Sequence, residues 1–181
     1  MSLKLNIMEN NNFIITINRE FGTGGREIAH KLANILGVKV YDKNILAEMG
    51  MDMNVTSKKM YQAEEKILKE IAERESCVIV GRAGFHIFKD YPNAVKIFLI
   101  ADTASRVKNL CEKLDLSKAE ATKMVKDIDE RRDKFTKQYT GVSRYDAHNY
   151  DFVLNVSNIP TYHVAVFLAQ NIKLKFPQNA E

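Results

Sequence analysis

FIITINREFGTGGREIAHKLANILG, residues 13–37, decides the fold. A β-branched run from Phe13 to Ile17 feeds a turn with glycines at 22, 24 and 25. The turn then opens a helix whose apolar residues Ile28, Leu32, Ile35 and Leu36 fall on one side. A strand entering a glycine turn that leaves as a helix is the context in which a bare glycine motif carries weight. Gly22, Gly24 and Gly25 reach backbone angles that other residues resist, so successive N–H groups can point inward. The helix adds its own unpaired N–H groups and the positive end of its dipole. The stretch therefore predicts a phosphate-binding loop formed by Gly22, Thr23, Gly24, Gly25, Arg26 and Glu27. The usual loop of this kind continues with glycine, lysine and a hydroxyl residue. This one continues with Gly24, Gly25 and Arg26.

A loop lysine supplies a mobile charge that follows a transferred phosphoryl group. Here Arg26 or Arg19 could supply charge from a neighbouring position, with the different geometry of a guanidinium. Thr23 is the one hydroxyl within the glycine cluster, and the usual metal-side position is not Ser or Thr. Magnesium is therefore expected to be held through nucleotide phosphates, waters and a carboxylate, with Glu27, Asp42 and Asp102 as candidates and no dedicated protein metal site. Glu20 reads equally well as a solvated loop acid. The bland reading of the whole stretch is a tight turn with no ligand.

Working outward, apolar runs recur at 38–41, 77–80, 95–100 and 152–156. Helical patterns lie between most of them, at 58–74 with Met60, Ile67, Leu68, Ile71 and Ala72 inward, and at 103–114. Another begins at the capping-box signal SKAE, residues 117–120, with Ala121, Met124, Val125 and Ile128 as its inner stripe. A last helix, at about 160–172, carries Val164, Phe167 and Leu168. Strands alternating with helices predict an α/β fold: a five-stranded parallel sheet flanked by helices, with ligands at the carboxyl ends of the strands.

Two further clusters fall at that edge. Gly81 and Arg82 follow the run CVIV, where an arginine grips phosphate or a base edge in a bidentate manner or else lies on the surface. His86, between apolar residues, reads as a packing histidine. The stretch DIDERRDKFTKQYTGVSRYD, residues 127–146, carries Arg131, Arg132, Lys134 and Lys137 ahead of a turn at Gly141. It reads either as a salt-bridged solvated helix or as a mobile basic flap that closes over two phosphorylated substrates and excludes water. Arg131 and Arg132 are adjacent and cannot both point the same way.

Composition sets the outer limits. The chain has 181 residues, 45% of them hydrophobic, and a formal charge of +4, far too weak to demand a nucleic-acid partner. No apolar run of about 18 residues exists, so no membrane span is expected. The start MSLKLNIMENNN lacks an apolar core, so no secretion signal is read and a cytoplasmic protein is expected. Cys77 and Cys111 make neither a disulfide framework nor a paired metal motif, and Cys77 reads as a buried small hydrophobe.

Taken together, ITINREFGTGGREIAHKLA, VYDKNIL, CVIVGRAGFHIFKDYPNAVKIFLIAD, DIDERRDKFTKQYTG and YDFVLNVS resemble, in order, the cytidylate kinase-like family of the nucleoside monophosphate kinase group. The resemblance spans about residues 13–168 and implies a P-loop kinase fold with a small helical lid. It also implies ATP and magnesium as phosphoryl donor and a pyrimidine nucleoside monophosphate such as CMP or dCMP as acceptor. On that comparison Gly22 and Gly24 match the loop glycines, and Gly25 falls where lysine would stand. Asp42 matches an acid near the acceptor. Gly81 and Arg82 open the acceptor-contacting segment, whose aspartate is replaced by Ala83. Arg131 and Arg132, with Arg26 at the loop, are the expected catalytic charges; Arg19, Asp42, Gly81, Arg82 and Lys137 are the expected acceptor contacts. The chain then reads as one kinase-like domain, 1–181, with a reduced acceptor-side helical region at 44–75 and a lid-like region at 115–146. Rival readings are a kinase of another small metabolite and a catalytically degenerate nucleotide-binding or sensing protein. Monomer and homodimer both stand open.

Overall fold

The structure, a computed structural model, describes residues 12–50 and 57–176. Residues 1–11 of the amino-terminal stretch read above for a secretion signal, and residues 51–56 of the 44–75 region, lie outside them. Five strands form one sheet: β1 (Ile14–Arg19), β2 (Lys39–Tyr41), β3 (Cys77–Val80), β4 (Ala94–Ile100) and β5 (Phe152–Asn155). Every pairing is parallel, and the order is β2-β3-β1-β4-β5, with Ile14 in register with both Cys77 and Ala94. The strand that feeds the glycine turn is thus the central one.

Helices cover both faces, so the strands are apolar on both sides. On one face Ile15, Ile17, Val78, Val80, Val95, Ile97 and Leu99 meet α1 (Gly25–Leu36) and α7 (Thr161–Lys175). α1 contributes Ile28, Ala29, Leu32 and Ala33, and α7 contributes Val164, Ala165, Leu168, Ala169 and Ile172. On the other face Ile14, Cys77, Ile79 and Ala94 meet α3 (Lys58–Arg74), through Tyr61, Leu68, Ile71 and Ala72. Phe85, Ile87 and Phe88, in and just after the short helix α4 (Gly84–Ile87), complete this layer. A smaller cluster joins Val107 and Leu110 of α5 (Thr103–Leu114) to Ala121 and Val125 of α6 (Lys118–Thr140). The capping box that opens α6 is formed: the Ser117 N–H reaches the Glu120 carboxylate at 2.9 Å, and the Glu120 N–H reaches the Ser117 hydroxyl at 3.3 Å.

Of the short helices, α4 was not read from the sequence, whereas α2 (Lys43–Glu48) opens the 44–75 region expected to be helical, without its bounds having been read; Asp42 caps it through the N–H groups of Asn44 and Ile45, both at 3.0 Å. One turn or two is too short for a 3.6-residue period to register. Phe167, expected on the inner stripe of the last helix, is instead 46% exposed. α7 buries the stripe Val164, Ala165, Leu168, Ala169 and Ile172, and Phe167 lies outside it. No helix among the described residues is long and apolar enough to cross a membrane.

Candidate active site

Leaving β1, the chain turns through Gly22 (φ 88°) and Gly24 (φ 76°) into α1. Gly22 has no alternative, because a Cβ there would lie 2.9 Å from the carbonyl oxygen of Arg106. Asn109 of α5 donates to the Gly22 carbonyl at 3.0 Å, and Asp129 of α6 accepts the Phe21 N–H at 2.9 Å. The loop is therefore held from outside by two helices. Gly24 offers no side-chain cap, and among the described residues the N–H groups of Gly22 to Glu27 meet no acceptor. These are the donors a phosphate would satisfy. They border a cavity of about 630 Å³ whose wall runs from Arg19 to Glu27 and includes Lys113 and Arg132.

The loop's polar side chains are largely committed elsewhere. The buried Thr23 hydroxyl donates to the Glu20 carbonyl at 2.9 Å. Glu20 is not a solvated acid: its carboxylate accepts the Ala101 N–H at 3.0 Å and lies 3.7 Å from Arg106. Arg26 turns away from the loop, its Nε 2.6 Å from Asp42 Oδ2. Burial raises the Asp42 carboxyl, but the Ile45 N–H and Arg26 outweigh it and bring its pKa below the ordinary value. Glu27 receives Lys113 at 2.7 Å, Lys31 at 3.0 Å and the Thr161 hydroxyl at 2.6 Å; Lys113 first, then Thr161 and Lys31, push its pKa down to about 2. Asp102 caps α5 through the Ser105 N–H at 2.6 Å. Among the described residues no three His, Cys, Asp or Glu side chains converge on a metal-sized point.

The second cavity, about 300 Å³, opens where β3 ends. Gly81, Arg82 and Ala83 are all left-handed there (φ 75°, 56° and 51°), and two of them carry side chains that disfavour it. Arg82 is not on the surface. Its fork grips both oxygens of Glu64 on α3, and its guanidinium sits 5.3 Å from the centre of the Phe135 ring. Arg19, Lys43, Arg82, Arg131, Arg132 and Arg144 all line this cavity, and among the described residues no carboxylate does. Arg131 bonds back to the Asp127 carbonyl at 3.3 Å, while Arg132 reaches the Arg19 carbonyl at 3.2 Å; the two have different partners, yet both line this cavity. Lys137 pairs with Asp133 at 2.8 Å and lines neither cavity.

Arg19 and Arg132 form a wall common to both cavities. Three residues that sequence reasoning missed hold that wall in place. Arg144, 2% exposed, donates to the Arg19 carbonyl, and its guanidinium lies 5.6 Å from the centre of the Phe98 ring and 5.2 Å from that of Tyr145. Asp129 takes Arg106 at 2.6 Å and has Arg132 and Arg144 at 3.9 and 4.0 Å. The i, i+3 spacing of Asp129 and Arg132 is the one local signal for this cluster; Arg106 and Arg144 carry none.

Residues 14–65 and 52–158 match the cytidylate kinase-like family. No curated protein matches the chain. Among solved structures, an uncharacterized protein from Eubacterium ventriosum is 26% identical, over 90% of this chain and 99% of its own, with a TM-score of 0.81. A shikimate kinase from Bacteroides thetaiotaomicron (14% identity, 92% and 99% coverage, TM-score 0.56) shares the fold alone. So does a gluconokinase from Sinorhizobium meliloti (10%, 92% and 98%, 0.51).

Proposed function

The chain belongs to the cytidylate kinase-like family, and on that premise we propose that it transfers the terminal phosphoryl group of ATP to a pyrimidine nucleoside monophosphate. The observation that carries the reading is the common wall: a glycine-loop cavity and a cationic cavity meet at Arg19 and Arg132. A donor whose phosphates fill the unpaired N–H groups of the loop presents its last phosphoryl group to that wall. An acceptor phosphate held among Lys43, Arg131 and Arg144 approaches from the other side. Transfer then needs alignment and charge stabilisation, not a covalent intermediate. Arg132 contributes on both sides, and Arg131 on the acceptor side. Asp42 and Arg26, locked together, fix the start of α2 and so the position of Lys43. Magnesium would supply charge neutralisation at the donor phosphates; with the carboxylates of Glu27, Asp42 and Asp102 already engaged, it would be held mainly by phosphates and waters.

One observation favours a second acceptor class. Ala83 replaces the aspartate of the acceptor segment, and among the described residues Phe135 is the one aromatic ring lining the cavity. That chemistry suits any compact anion, so a kinase of another small anionic metabolite is the alternative.

The test is ADP formation with magnesium, ATP and a panel of nucleoside monophosphates, with small sugar acids and phosphorylated sugars beside them. Turnover confined to CMP, dCMP or UMP, and reduced by about 10²–10³-fold in Arg132→Ala, is the expected result. Transfer only to a non-nucleotide anion selects the alternative. No transfer to any acceptor above the ATP-only background removes both.

A further inference from the structure

The loop has lost its lysine, but the space that lysine would leave from is filled. A Cβ built on Gly25 would lie 2.8 Å from Cγ and 2.9 Å from Cβ of Arg19, and a Cβ on Gly81 would lie 2.6 Å from Arg19 Nη1. The Arg19 side chain therefore runs from beside the start of α1 to the end of β3, through room that two missing side chains provide. We infer that Arg19 takes the part of the absent lysine, presenting its guanidinium to the donor phosphates from the end of β1 instead of from the loop.

The partners of the other guanidiniums single Arg19 out. Arg26 is held by Asp42, Arg82 by Glu64 and Arg106 by Asp129. Arg131 bonds to the Asp127 carbonyl, and Arg132 and Arg144 both bond to the Arg19 carbonyl. Among the described residues the Arg19 guanidinium has neither a hydrogen bond nor an ion pair, yet it lines both cavities. Burial, then the charges of Arg132 and Arg144, push its pKa down to about 9, against the smaller pull of Asp42 and Asp129. An unpaired cation beside two others costs stability, and the cost is recovered when an anion arrives. A planar fork fixed by packing on two sides can hold two phosphate oxygens at once, where a lysine offers a mobile point charge.

This inference rests on the reading of the glycine loop as a triphosphate site. The bland alternative makes Arg19 a spacer that keeps the loop and β3 apart, and the two differ in sign. Calorimetric titration with magnesium ATP, and separately with inorganic triphosphate, needs no acceptor. Arg19→Met keeps the length and removes the charge; it is expected to bind both probes about 10- to 100-fold more weakly than the parent. Its Tm without ligand is expected to equal or exceed that of the parent, because a buried repulsion is gone. Arg19→Lys, and the double variant Arg19→Gly/Gly25→Lys that returns the charge to the loop, are expected to regain most of the affinity. Gly25 sits at helical angles, so it accepts a side chain once Arg19 is cut back. If the parent binds both probes and Arg19→Met binds them within threefold of it, the assignment is wrong and the loop reading survives. A lower Tm in Arg19→Met, with affinity lost equally in the Lys and double variants, makes Arg19 a spacer and also overturns it. A parent that binds neither probe removes the loop reading and this inference with it.

Discussion

Glu64 is 3% exposed, and its carboxylate faces the fork of Arg82. Removing one member of such a pair strands the other as a buried charge, so Arg82→Ala is expected to lower the unfolding free energy by about 3–5 kcal/mol in urea titrations. Arg82→Met with Glu64→Met should recover most of that loss while leaving the cavity without its strand-end cation. Equal stability of Arg82→Ala and the parent would mean that the pair is solvated. The position of Arg82 at the ligand edge was legible, because it follows an apolar strand and a glycine. Its partner was not. Glu64 stands beside the partly exposed Glu65 on a helix that also carries Glu70 and Glu73, and only the direction in which α3 faces the sheet distinguishes them. The same holds at the loop, where the missing lysine was plain but the filling of its space by Arg19 is a contact between strand and helix with no local pattern.

Among the elements, α1, α5 and α7 are tied by one side chain. Glu27 of α1 takes Lys113 of α5 and the Thr161 hydroxyl of α7. Its folded-state pKa lies below the ordinary 4.5, at about 2, so this tie contributes fully above about pH 4.5 and is lost as pH falls toward 2. Melting curves of the parent and Glu27→Gln should differ most near neutrality and converge between pH 4.5 and 2. A constant gap across that range would show that the tie is not ionic. Long elements were legible because period and length agree: the expected helix at 58–74 is observed with those bounds, and the Ser117 cap is formed. Short ones were not, and α7 shows that a helix apolar on more than one side does not announce which residues go inward.

Over the whole molecule, one carboxylate joins segments remote in sequence. Asp129 links α6 to the loop through the Phe21 N–H and to α5 through Arg106, and lies within 4.0 Å of Arg144 beyond the turn. Asp129→Asn should cost about 3–5 kcal/mol, or about 6–20 °C of Tm. Millimolar sulfate should restore more of the loss than it adds to the parent, since the arginines would then lack their internal anion. A sulfate response no larger than the parent's would count against that account. The alternation of strands and helices made the parallel sheet legible, whereas the order of the strands and the gathering of residues 19, 106, 129, 132 and 144 belong to no local stretch. The strand order also bears on how the chain is made. β1 emerges from the ribosome first, yet its two neighbours begin at Cys77 and Ala94. At roughly 5–20 residues per second, FIITI waits on the order of ten seconds without a neighbour on either side. It is uncharged, β-prone and free of proline, which is the composition of a segment that pairs with other copies of itself. Nascent chains of this protein should therefore be most vulnerable to aggregation before residue 94 is translated, and a holdase that recognises short apolar strands should matter more to its yield than one that acts on the finished fold.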